Sequence, residues 1–156
     1  MADIEIPELD VPFVFNRRAT AVPGDLRPLW RMNLVLLLLR KCCRGGKSSF
    51  ARLHVLSWAS LSPENRSLLV RVLDEEEMVE SLVVRVEPSL NRAVDFAIGE
   101  GLVRRVSGDR YELTPTGVAR ADALFEAEEC LNEEKAFVEQ IGRRVTEGLV
   151  NELFAH

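Results

Sequence analysis

The sequence predicts a mainly α-helical fold with one small β-hairpin, and three observations support this. Residues 88–117 have the pattern of a helix, a hairpin and a second helix in direct succession. Residues 29–43 are apolar at eleven of fifteen positions, including the unbroken run 34–39. Two further apolar segments, within 50–59 and 63–73, follow starting signals that are typical of helices. A chain of 156 residues is also long enough to bury a core.

The segment Leu82–Gly117 contains the strongest local signals. Its first part, Leu82–Val86, is apolar and β-branched, which predicts a short buried strand. Pro88 is expected to begin the next helix, because its missing N–H falls among first-turn donors that have no partner anyway. We expect Gly99 and Gly101 to end that helix, since glycine tolerates the left-handed cap conformation.

A β-hairpin is predicted next. Its strands are Leu102–Val106 and Tyr111–Leu113, with a glycine-containing turn between them. Thr114 then caps a further helix, with Pro115 at its first position. Helix, hairpin and helix in this order are typical of the second half of a winged helix. We therefore predict a mainly α winged-helix domain (α+β) over residues 29–131.

The first half of this domain is predicted to be helical. The helix Leu29–Cys43 is apolar on nearly its whole circumference, which indicates a central position. It ends at Gly45-Gly46. Ser48-Ser49 offers an N-cap for the helix Phe50–Ala59, and Ser62-Pro63 begins a third helix.

Both ends of the chain carry apolar residues that one winged helix does not need. Residues 1–28 lack a helical period, and we predict an extended N-terminal arm. Residues 132–156 predict one long C-terminal helix with an apolar residue at every fourth position. We expect the apolar residues of both ends to contact a partner or a second copy of the chain, because such patches are seldom left open. These residues are Phe13, Phe15, Phe137, Ile141, Val145 and Leu149. In the alternative, the last helix folds back on the first and buries its stripe within the chain.

The composition is that of a soluble globular protein, with 47% hydrophobic and 29% charged residues. The longest strictly apolar run, Leu34–Leu39, is far shorter than the roughly 20 residues of a membrane helix. The acidic N-terminus does not resemble a signal peptide. Two of the three cysteines are adjacent, which does not suit a disulfide framework. We therefore expect a cytoplasmic protein without a membrane segment.

The net charge of −5 is unevenly distributed. Residues 11–52 contain nine Lys or Arg and one acidic residue, Asp25, whereas residues 53–156 contain eleven basic and twenty acidic residues. The basic part could contact DNA phosphates or an acidic partner. The residues expected to make that contact are Arg17, Arg18, Lys41, Arg44 and Lys47. Alternatively, ion pairs within the chain neutralise most of this charge.

The sequence gives little support for catalysis, and we predict no catalytic, cofactor-binding or metal-binding residue. His54 lies between apolar neighbours and is expected to be a core histidine. The adjacent cysteines lack the spacing of a zinc site. Residues Arg44–Ser49 resemble the end of a phosphate-binding loop, but Lys41 stands where the first glycine belongs. An anion at the N-terminus of the next helix is a minor alternative.

Sequence-specific DNA binding is disfavoured. The helix that would enter the major groove carries Arg92 against Asp95 and Glu100. Neutralising phosphates supplies most non-specific affinity for DNA, and this helix has no excess of positive charge. The hairpin does contain basic residues, interspersed with acidic ones. The sequence thus favours a winged helix that contacts protein.

Two runs, LWRMNLVLLLLRKC at 29–42 and SFARLHVLSWA at 49–59, resemble the small middle components of three-component ABC-ATPase (ABC-3C) conflict systems. This group includes the Lamassu-type anti-phage operons, and with the hairpin the resemblance covers about residues 29–120. It implies a non-enzymatic accessory subunit between an SMC-like ATPase and an effector such as a nuclease. It supplies no catalytic residue. The alternative is a winged-helix DNA-binding transcriptional regulator.

Overall fold

Helix α1 (Pro28–Cys42) forms the centre of the protein, for which a computed structural model describes residues 28–155. The side chains from Leu34 to Leu39 are all fully buried. A helix that is apolar on every side is stable only when other elements surround it. The other helices are α2 (Phe50–Ser60), α3 (Pro63–Leu73), α4 (Pro88–Gly99), α5 (Pro115–Glu126), α6 (Asn132–Ile141) and α7 (Glu147–Phe154). Of these, α2, α4, α5 and α6 pack against α1, which confirms its predicted central position.

Three short strands form one antiparallel sheet: β1 (Lys47–Ser49), β2 (Val103–Ser107) and β3 (Arg110–Leu113). Their order in the sheet is β1-β3-β2. The predicted hairpin corresponds to β2 and β3. Strand β1 was not predicted, because its three residues are polar and its partner is distant in sequence. The mainly helical class with a small β component is confirmed.

The predicted helix starts are confirmed by side-chain caps. The hydroxyls of Ser49, Ser62 and Thr114 each accept a hydrogen bond from the backbone N–H three residues further on, at 3.0–3.1 Å. Each cap satisfies a first-turn donor that has no partner within its helix. Gly101, with φ of 71°, has the left-handed conformation expected after α4.

The predicted strand at Leu82–Val86 is wrong. Leu82 is buried, but Val83 and Val86 are 70% and 69% exposed. Among residues 28–155, this segment pairs with no strand. β-Branched residues favour extended backbone, but a strand also needs a neighbour that completes its hydrogen bonds. The segment instead links a 3₁₀ turn at Val79–Ser81 to α4.

The single long helix predicted for residues 132–156 is also wrong. Helix α6 ends at Ile141, and Gly142 follows with φ of 51°. Thr146 then starts α7, its hydroxyl accepting from the backbone N–H of Leu149 at 3.2 Å. Glycine and a capping threonine favour a break more than the apolar repeat favours continuity. Helix α5 ends at Glu126, before the predicted end of the winged-helix domain at residue 131.

The break places the apolar stripe of this segment in the chain's own core. Phe137, Ile141 and Val145 are buried, and Leu149 packs half-buried against the same cluster. The alternative of burial within the chain therefore describes these four residues. This corrects the expectation of a partner surface there, because α6 lies against α1 and no second molecule is needed to cover them.

Within the described part of the chain, no helix is long and apolar enough to cross a membrane.

Candidate functional site

The outer face of α4 is the most distinctive surface next to the hairpin. Leu90, Ala93, Val94 and Ala97 face the core. The exposed positions include Arg92, Asp95 and Phe96, and the phenylalanine side chain is 45% exposed. Exposed aromatic residues beside polar ones are typical of protein contact surfaces. This face has one cation, one anion and one aromatic anchor.

Exposed apolar residues also lie at both ends of α4. Val86 precedes the helix and Ile98 is near its end, and both are exposed. They add to the apolar surface that α4 presents to solvent.

The arginines of the hairpin make contacts within the protein. Arg104 forms an ion pair with Glu112 on the neighbouring strand at 2.8 Å. Arg105 donates to the carbonyl of Gly108 at 2.6 Å and lies 5.7 Å from the ring centre of Tyr111. The ion pair offsets the charge of Arg104, whereas Arg105 and Arg110 keep their charges and are exposed.

A basic surface lies at the C-terminal end of α1. Lys41 and Arg44 are exposed, and the Lys41 ammonium lies 4.6 Å from the ring centre of Phe125. The backbone N–H of Lys47 donates to the carbonyl of Arg44, so these two residues flank one turn. Arg143, from the loop after α6, is close enough to act electrostatically on the buried Cys43 thiol. Arg17 and Arg18, the other predicted members, lie outside the described residues, as do Phe13 and Phe15.

The segment Arg44–Ser49, which resembles the end of a phosphate-binding loop, ends where a carboxylate of the protein takes the position of a bound anion. The carboxylate of Glu147 accepts from the Ser49 backbone N–H at 3.1 Å and from its hydroxyl at 2.7 Å. Burial alone would raise the pKa of Glu147, but these hydrogen bonds, together with Arg52 and Arg110, hold it below its ordinary value. An anion does lie at the start of α2, and it is this side chain.

Arg52 is a second buried part of this region. It donates from Nη2 to the Cys42 carbonyl at 2.6 Å, which ties the start of α2 to the last turn of α1. Its charge also lies near Glu147. Sequence reasoning missed Arg52, Arg143 and Glu147, because each acts across elements that are distant in the chain.

The interior of the protein contains His54 and the two neighbouring cysteines, Cys42 and Cys43. The His54 ring packs edge-on against Phe50, with centres 4.5 Å apart, and burial lowers its pKa despite the opposing effect of Glu87. Burial raises the pKa of Cys42 to about 12, so its thiol stays protonated at neutral pH. His54 is therefore placed as the sequence predicted, in the core.

In residues 28–155, no three His, Cys, Asp or Glu side chains converge in an arrangement that could hold a metal ion.

Comparisons with protein-family models, with curated proteins and with solved structures found no match to this chain.

Proposed function

We propose that this protein is a winged-helix accessory subunit that contacts other proteins, and that it serves as the middle component of a bacterial anti-phage defence complex. The observation that carries the proposal is the outer face of α4, where Phe96 is exposed and Arg92 is balanced by Asp95. The partners we propose are an SMC-like ABC ATPase and an effector subunit, as the resemblance of residues 29–120 implies.

The order of elements supports a winged helix. In that fold a short strand follows the first helix and pairs with the second strand of the hairpin. Here β1 follows α1 and pairs with β3, and α4 leads directly into the hairpin. Helix α3 is then an addition between the second and third helices of the winged helix.

The charge distribution supports contact with protein rather than sequence-specific contact with DNA. A helix that reads bases also needs neighbouring cations that neutralise phosphates. Helix α4 has one exposed arginine beside an exposed aspartate. The hairpin has three arginines against Asp109 and Glu112, and Arg104 is paired, so its excess of positive charge is one. The cations at the end of α1 could make a secondary, non-specific contact with DNA phosphates within the complex.

Co-expression of this protein with the adjacent open reading frames, followed by purification of the complex, tests the proposal. We expect a complex that contains a coiled-coil ATPase and an effector, with its stoichiometry given by native mass measurement. Phe96→Asp is expected to stay folded and to be lost from the complex. Phe154→Asp is the matched control, because Phe154 is similarly exposed, at 47% against 45%, and lies on α7.

Two results would contradict the proposal. If Phe96→Asp assembles as well as the unmodified chain, α4 is not the contact surface. If the neighbouring genes encode neither partner and the protein binds its own promoter tightly, the transcriptional regulator is favoured. Loss of that promoter binding in Arg92→Ala would then identify α4 as the DNA-reading helix.

A further inference from the structure

A groove of about 590 Å³ lies beside the first turn of α1. One wall is formed by Leu29, Trp30 and Asn33, and the other by Cys130 and Leu131 in the loop between α5 and α6. The Leu29 side chain is 59% exposed, although it belongs to the central helix. The volume lies within the range of about 300–1,000 Å³ that is usual for binding pockets.

The loop wall of this groove is held in place by α6. Asn132 donates from its side-chain amide to the Glu128 carbonyl at 2.9 Å, and the Lys135 ammonium donates to the Ala127 carbonyl. The opposite wall is the first turn of the central helix. The groove is therefore formed before anything enters it.

The lining of the groove is mainly apolar. Leu29, Trp30 and Leu131 supply aliphatic and aromatic surface, and Asn33 and Glu129 are the polar side chains among the residues that line it. Binding sites are typically lined by hydrophobic and aromatic side chains with a few polar groups. The groove therefore suits a peptide with apolar side chains.

The chain itself supplies such a segment. Twenty-seven residues precede Pro28, and Pro28 also lines the groove. Val11, Phe13 and Phe15 alternate with other residues, so an extended backbone would place all three on one side. The 12 residues between Phe15 and Pro28 span up to about 40 Å when extended, and they include the turn-forming Pro23-Gly24-Asp25.

We propose that this groove binds residues 11–15 of the same chain, with Phe13 and Phe15 packed against Leu29 and Trp30. The proposal goes beyond the accessory-subunit function and is independent of it, because it needs no partner. It also gives Phe13 and Phe15 a binding site within the chain.

Cys130 provides a direct measurement of whether the groove is covered. It lines the groove and is half-buried, whereas Cys42 and Cys43 are fully buried and burial raises the pKa of both thiols. Cys130 is therefore the thiol expected to react with Ellman's reagent in the native protein. Its reaction rate in the full chain reports access to the groove.

The double variant Phe13→Ser/Phe15→Ser is expected to react at Cys130 at least tenfold faster than the unmodified chain. Phe154→Ser is the matched control and is expected to react at the unmodified rate. Equal rates in the unmodified chain and the double variant would overturn the proposal. The protection should also be independent of protein concentration; its loss on dilution would identify a second copy as the occupant and would equally overturn the proposal.

A crosslink tests the same contact without removing the aromatic pair. In full-length Phe13→Cys or Phe15→Cys, mild oxidation is expected to join the new thiol to Cys130 within one chain. A disulfide confined to dimers, or none in either variant, would contradict docking within the chain. This measurement remains decisive if the double serine variant does not fold.

Discussion

The carboxylate of Glu147 accepts two hydrogen bonds from Ser49, one from the backbone N–H at 3.1 Å and one from the hydroxyl at 2.7 Å. Ser49 ends β1 and caps α2, whereas Glu147 begins α7. This one contact therefore connects the C-terminal helix to the sheet and to the second helix, across a sequence separation of 98 residues.

Replacing Glu147 with glutamine should lower the free energy of unfolding by about 1 kcal/mol at pH 7, since a charged acceptor is lost from a partly exposed site. The folded-state pKa of Glu147 is below its ordinary value of 4.5, so its contribution is present above that value. It is lost as the pH falls through the folded-state pKa. Urea unfolding at a series of pH values from 7 down to about 2 measures this, and the difference between the two proteins should shrink as the pH falls below 4.5.

Glu152→Gln is the control for this prediction, because Glu152 is exposed on the same helix. A similar loss of stability in both variants would show that the general charge of α7, rather than the contact with Ser49, is responsible.

Gly117→Ala should be strongly destabilising. A Cβ at this position would lie 1.9 Å from the carbonyl oxygen of Leu102, so the first turn of α5 would have to move away from the chain before β2. Overpacking of this kind typically costs about 1–3 kcal/mol, and here the neighbour is backbone. Gly99→Ala is the control, because a Cβ there meets nothing within 4 Å. Thermal melting should separate the two variants, and similar midpoints would contradict the close approach.

Gly101→Val should destabilise the fold by about 1 kcal/mol or more. Its φ of 71° is a left-handed conformation that a β-branched residue adopts only under strain. Space is not the cause, since a Cβ at Gly101 would also meet nothing within 4 Å. An unchanged melting temperature would mean that the end of α4 can rearrange at no cost.

The isolated protein should bind duplex DNA weakly, without sequence preference, and with an affinity that falls steeply as salt rises. The contributing residues are expected to be Arg17, Arg18, Lys41, Arg44 and Lys47. Replacing Lys41, Arg44 and Lys47 together with alanine should reduce the slope of log K against log salt by about 2–3. Fluorescence anisotropy at several salt concentrations measures the slope. Arg92→Ala should leave it unchanged, and strong loss of binding in that variant would contradict this assignment.

The sequence by itself determined the features that depend on neighbouring residues. The caps at Ser49, Ser62 and Thr114, the hairpin and the left-handed Gly101 were all predictable, because each follows from local backbone preferences. The central position of α1 was predictable as well, since a helix that is apolar all round must be covered.

Only the tertiary structure decided which surfaces stay exposed and which distant groups meet. Strand β1 exists because β3 lies beside it, and Leu82–Val86 is no strand because no segment within residues 28–155 pairs with it. Phe137 and Ile141 are core residues, and the helix that carries them ends before Gly142. The local sequence gives opposing signals there, because glycine favours the end of a helix whereas the apolar repeat favours its continuation. The contact between Glu147 and Ser49 depends on how helices pack, and packing is fixed by shape and burial over the whole chain rather than by adjacent residues.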